Sequence, residues 1–122
     1  MAKTRLIPDE THPITVEAST GQVRVRAGET VVADTAKSLT LQESTYPPVA
    51  YVPLSAIDPS LLRPSDSETY CPYKGDATYF DLVTPDGVIA DAAWTYAEPY
   101  DAVADIAGHL AFYPNKVVIT VS

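Results

Sequence analysis

From Gln22 onward the chain alternates apolar and polar residues in short runs. Val23 and Val25 interleave with Arg24 and Arg26, the period of a strand with one buried face. Gly28-Glu29 then supplies a two-residue turn, with Gly at the position that needs positive φ, and residues 30–34 return as a hairpin. Leu39 and Leu41 alternate with Thr40 and Gln42 as a third strand. Tyr46-Pro47-Pro48 breaks it, and residues 49–52 make a fourth. Residues 78–83 and 88–96 flank Thr84-Pro85-Asp86-Gly87, where Pro presets φ and Gly takes the left-handed position, so a second hairpin is predicted. Residues 110–113 and 116–121 read as a final strand pair turning at Pro114-Asn115.

Three stretches depart from this alternation. Residues 1–20 are polar and carry Pro8 and Pro13, which predicts an arm, with Ile14-Thr15-Val16 its one ordered candidate. A single β-rich domain then covers 21–122. Residues 53–76 contain Pro53, Pro59, Pro64 and Pro72; they read as an ordered loop with room for a turn of helix near 55–62. Ala102, Val103, Ile106, Ala107 and Leu110 fall on one face at helical spacing, with Asp101 as cap and Gly108 as stop. The fold class is therefore mainly β: curved antiparallel sheets with one short helix near residues 101–107.

Composition narrows the partners. With 122 residues, 46% of them apolar, the chain fits one domain with one real core. Its formal charge of −8, with the eight basic residues dispersed, argues against nucleic acid and against anionic membrane surfaces. One cysteine makes neither an internal disulfide nor a zinc site built from Cys pairs. No apolar run has the length of a spanning helix, and the expected location is the cytoplasm. No ligand spacing calls for a metal or a cofactor.

The candidate chemistry gathers in Thr69-Tyr70-Cys71-Pro72-Tyr73-Lys74-Gly75 and in the aromatic residues that follow. Pro72 holds Cys71 extended, and Lys74 or His109 could supply the cation a thiolate needs. Lys74 beside Gly75 offers an ammonium and backbone N–H groups to an anion. Trp94, Tyr96 and Glu98 share one strand parity, and a carboxylate beside aromatic rings suits proton transfer or ligand binding. Together these suggest a small-molecule pocket walled by Tyr70, Tyr73, Trp94 and Tyr96. Cys71 or Glu98 would be its reactive group and His109 the proton partner, and Lys74 would bind an anionic group on a ring-bearing ligand.

Structural roles compete with each assignment. Tyr79, Phe80 and Phe112 suit the core, a lone Cys is often a small buried hydrophobe, and Lys74 can pair with Asp76 or Asp66. His12 lies in the arm and is given no role. A second class of function is a protein-interaction module: Val117-Val118-Ile119-Thr120-Val121 is strongly β-prone, and pairing it with another copy would make a homodimer. A third is a redox-sensing Cys71 thiol.

The runs Pro64-Ser65-Asp66, Thr69 through Ala77, Asp91-Ala92-Ala93-Trp94-Thr95-Tyr96 with Glu98-Pro99, and Ile106-Ala107-Gly108-His109-Leu110-Ala111-Phe112-Tyr113 resemble one bacterial family. It is the domain of unknown function four-twenty-seven, sometimes labelled a nucleotidyltransferase domain. The resemblance spans about residues 22–113. It implies a compact all-β domain of a kind with the tent-like folds that often carry zinc knuckles; Lys74 stands where a knuckle would need a second Cys. Nucleotidyl transfer usually needs a Gly-Ser phosphate loop and paired metal-binding carboxylates. No such loop occurs, and Asp66-Ser67-Glu68 is the nearest to a carboxylate pair.

Overall fold

The computed structural model describes residues 4–122. Its strands are β1 (Ile14–Ala18), β2 (Val23–Ala27), β3 (Thr30–Thr35), β4 (Leu39–Glu43), β5 (Val49–Pro53), β6 (Leu62–Cys71), β7 (Gly75–Thr84), β8 (Gly87–Thr95), β9 (His109–Phe112) and β10 (Val118–Val121). Seven of them form a sheet in the order β1-β4-β5-β9-β8-β7-β6, and three form a second in the order β10-β2-β3. All pairings are antiparallel, and neither sheet closes into a barrel.

Both predicted hairpins form. In β2 the valines and Ala27 are buried while Arg24 and Arg26 are exposed, and Gly28 takes φ +59° at the turn into β3. Alternation along the large sheet divides its side chains between two cores. Val52, Leu82, Leu110 and Phe112 point to one face and pack on Val23, Val25 and Val32 of the small sheet. Tyr51, Ala77, Tyr96 and Ala111 point to the other and meet Leu41 from β4 and Val103 and Ile106 from a 3-10 segment. Burying one such aliphatic side chain contributes roughly 1.5–3 kcal/mol, so each face carries a real share of the stability.

Three expectations need correction. Residues 62–71 are not a loop but the ten-residue strand β6. Pro53 ends β5, Pro59 opens a 3-10 turn capped by Asp58, and Pro72 follows β6, so only Pro64 lies inside a strand. That strand is the edge of its sheet, where a missing N–H is tolerated.

The last two strands form but do not pair with each other. β9 is flanked on both sides by β5 and β8, so it has no free edge, and the chain crosses at Pro114-Asn115 to lay β10 against β2. The helix expected near residues 101–107 is a 3-10 segment, Asp101–Ile106, kinked at Val103. Only Val103 and Ile106 are buried in it, a three-residue spacing that matches the 3-10 period. Among the described residues no helix is long and apolar enough to cross a membrane.

Candidate functional site

Cys71-Pro72-Tyr73-Lys74-Gly75 is the turn joining β6 to β7. Cys71 pairs with Gly75, the Lys74 N–H donates to the Cys71 carbonyl at 3.2 Å, and Gly75 takes φ +110°. The Lys74 carbonyl accepts the Tyr100 N–H at 3.0 Å, which ties the turn to the 3-10 segment. This aims the Lys74 ammonium inward to Glu43, with Nζ 2.6 Å from Oε1. The other carboxylate oxygen of Glu43 lies 2.8 Å from His12 Nε2, and the His12 ring stacks on Tyr73 at 4.3 Å.

The Glu43 and Lys74 side chains keep only 15% and 13% of their exposure. Burial works against the charge on Glu43, but hydrogen bonds from Lys74 and His12 outweigh it and hold the carboxyl below its ordinary range. Lys74 Nζ also sits 5.9 Å from the centre of the Tyr96 ring.

Cys71, Trp94 and Tyr96 gather on the same face of the sheet, packed into the second core. Trp94 donates from Nε1 to the Tyr51 hydroxyl at 3.3 Å, and its ring lies 4.6 Å from Tyr113. Burial pushes the Tyr51 phenol up to about 12 and raises that of Tyr96 as well. Tyr70 turns outward, sharing a 2.7 Å hydroxyl contact with Tyr100. Glu98 is exposed beyond the end of β8, with only its backbone near the turn at Gly75. His109 lies on β9 with Nδ1 2.9 Å from the Ala107 carbonyl, and three strand spacings, roughly 14 Å, separate β9 from the Cys71 strand. The structure thus brings Cys71, Lys74, Trp94 and Tyr96 together and leaves Glu98 and His109 apart.

A second constellation was missed by sequence reasoning. β6 and β8 each carry two extra residues on either side of Phe80 in β7: the β6 pairing slips between Pro64 and Glu68, opposite Tyr79, and the β8 pairing between Ile89 and Ala93, opposite Asp81. Asp91 lies in the β8 bulge with φ +48°, in the left-handed region that few non-glycine residues occupy. Its N–H donates to Asp81 Oδ1 at 2.9 Å, which fixes that conformation. Its carboxylate accepts the hydroxyls of Ser65 and Ser67 from the opposing bulge, the latter at 2.6 Å. These two bonds hold the Asp91 carboxyl below its ordinary range.

Beside Asp91 opens a cavity of about 550 Å³ lined by Ser67, Glu68, Thr69, Tyr79, Tyr113 and Lys116. The Tyr79 and Tyr113 rings lie nearly parallel, with centres 6.4 Å apart. Thr69 Oγ1 is 2.9 Å from the Tyr79 hydroxyl. The Lys116 ammonium donates to the carbonyls of Ala90 and Asp91, at 2.8 and 3.2 Å. Trp94 backs this wall through its contact with Tyr113, so the cavity and the second core share one aromatic row.

Residues 15–122 match the family described as a domain of unknown function, DUF427. The chain belongs to that family. The family segment contains β1 through β10 except Ile14, and it therefore holds the Glu43–Lys74 pair and the whole Asp91 cavity; His12 lies outside it. No curated protein matches the chain. Among the described residues, no three His, Cys, Asp or Glu side chains group as a metal site.

Proposed function

We propose that this domain binds a small ring-bearing molecule in the cavity beside Asp91. One observation carries the reading: two facing bulges hold a carboxylate in a strained conformation at the mouth of an aromatic-walled cavity. Strained backbone and paired bulges cluster where side chains are aimed at ligands. Tyr79 and Tyr113 offer flat apolar faces, while Glu68, Thr69 and the two phenol hydroxyls offer hydrogen bonds around them.

The lining also bears on ligand charge. Glu68 and Asp91 outnumber Lys116, whose ammonium is already bonded to two carbonyls. Lys74, the anion-binding candidate of the sequence, is paired with Glu43. A neutral ring compound with several hydroxyl or N–H groups, such as a nucleoside or a pyranose, suits these walls better than a phosphorylated one. This weighs against nucleotidyl transfer on a polyphosphate. A cytoplasmic setting, where metabolites of this kind are abundant and a lone thiol stays reduced, fits the reading.

Thermal-shift screening against nucleosides, monosaccharides and their monophosphates tests it, since a ligand at 100 times its Kd stabilises by about 2.7 kcal/mol. Melting points should rise with a neutral member of the panel and not with that compound on Tyr113→Ala. A panel that leaves the wild-type chain unmoved, or shifts both proteins alike, would remove the proposal.

A second reading rests on β10. It is an edge strand with Val118 and Val121 47% and 63% exposed, a surface suited to strand pairing with a second copy. Light scattering on Val118→Lys/Val121→Lys against wild type separates the readings: a wild-type dimer that becomes a monomer supports assembly, and a monomer in both ends it.

A further inference from the structure

Residues 4–8 lie across the turn that carries Tyr73, and they are held there in an unusual way. The Thr4 carbonyl accepts the Tyr70 hydroxyl at 2.6 Å, and the Leu6 N–H donates to the Pro72 carbonyl at 2.9 Å. The Arg5 guanidinium sits 4.4 Å over the Tyr100 ring and 3.8 Å from the Asp101 carboxylate. Yet the apolar side chains of the same segment, Leu6 and Ile7, stay 42% and 72% exposed. A segment packed for stability would bury those side chains first. Here the main chain and one planar cation make the contacts, which is how a surface recognises an extended peptide.

Two further observations agree. The arm precedes the family segment, which begins at residue 15, so the surface beneath it belongs to the family domain while its cover does not. The charges are complementary as well: a guanidinium meets Asp101 on a chain of net charge −8. A cavity of about 160 Å³ lies between Leu6, Ile7, Tyr73 and Tyr100.

The geometry points to a peptide-binding groove at Tyr70, Pro72 and Tyr100, selective for an extended segment with an arginine, which this chain fills in cis with residues 4–8. It shares no lining residue with the cavity beside Asp91, so either site can fail without the other. The tethered arm competes at an effective concentration on the order of millimolar, which hides the groove in the wild-type chain.

The test uses the full chain and a fluorescent peptide of residues 4–12. Fluorescence anisotropy should show at least tenfold tighter binding to Arg5→Ala/His12→Ala than to wild type. The same peptide with its arginine replaced by alanine should lose about tenfold, and Tyr100→Ala added to the double variant should do likewise. Equal binding to both chains, indifference to the peptide's arginine, or no binding to a folded double variant would each overturn the proposal. Should the double variant not fold, exchange of the Leu6 amide in the wild-type chain decides. Faster exchange under peptide excess supports displacement of the arm, and unchanged protection refutes it.

Discussion

Ser67 Oγ donates to the Asp91 carboxylate at 2.6 Å although β6 and β8 are separated by the whole of β7. Two strand spacings amount to roughly 10 Å, beyond the reach of these two side chains in a regular sheet. The paired bulges close that gap, and the positive φ of Asp91 is part of how they do so.

A substitution series at Asp91 separates its charge from its conformation. Asp91→Ala removes two charge-assisted bonds and leaves a Cβ residue at φ +48°, so it should be the least stable of the series. Asp91→Gly relieves the backbone and should recover part of that loss. Asp91→Asn tolerates the left-handed region and keeps one acceptor, so it should cost the least of the three. Urea denaturation should rank the variants Asn, Gly, Ala in falling stability; Ala equal to Gly would mean the conformation carries no strain.

Glu43 sets an acid dependence. Its folded carboxyl titrates below its ordinary value, so it contributes stability that is fully present above the unfolded value and is lost as pH falls through the folded one. Wild type should therefore lose stability below about pH 4.5, and Glu43→Gln should show a flatter profile across that window. At pH 7 Glu43→Ala leaves Lys74 and His12 without their shared partner, at a cost of about 2–3 kcal/mol. Denaturant midpoints from pH 7 to pH 3 check both, and parallel profiles for wild type and Glu43→Gln would contradict the assignment.

Much of this was legible in the chain. Strict alternation at Val23-Arg24-Val25-Arg26 and the Pro85-Asp86-Gly87 turn were enough to place two hairpins. The β6 strand was hidden because each proline in 53–76 reads as a breaker, whereas three of the four mark strand or turn boundaries and Pro64 lies on an edge. Glu43 left a signal that could have been used. It shares the parity of Leu39 and Leu41, so an acid on the inward face of β4 asked for a partner. His12 and Lys74 answer it from 31 residues away on either side, a distance no local pattern records. Asp91 left less, since a bulge depends on the pairing of two neighbouring strands and not on its own sequence.

Gly75 is the point where the turn tolerates no side chain freely. At φ +110° an added Cβ would stand 3.4 Å from the Glu98 carbonyl, an ordinary contact, so the cost is conformational. Gly75→Ala should lose about 1–2 kcal/mol, or roughly 4–8 °C in Tm. A calorimetric scan with no loss would mean the turn relaxes without disturbing Lys74.

Four of the eight tyrosines should resist ionisation. Burial, and for Tyr70 and Tyr113 a hydroxyl contact with a second phenol, push Tyr51, Tyr70 and Tyr113 up to about 12, and burial raises Tyr96 as well. Their neutral forms favour the fold, so the associated stability is full below about pH 10 and falls as pH rises through the folded values. In a 295 nm titration of the native chain, all eight phenols ionised by pH 11 would contradict these environments.

Trp94 is the single tryptophan and its ring lies 4.6 Å from Tyr113, so its fluorescence reports directly on the cavity beside Asp91. Titration with adenosine, uridine and glucose, each beside its monophosphate, tests whether the cavity takes a neutral ring compound. The expected result is a saturable change in emission with at least one neutral compound, weaker for its phosphate and absent in Tyr113→Ala. Emission unchanged by every member of the panel, or tighter binding of the phosphates, would contradict a neutral-ligand site at Asp91.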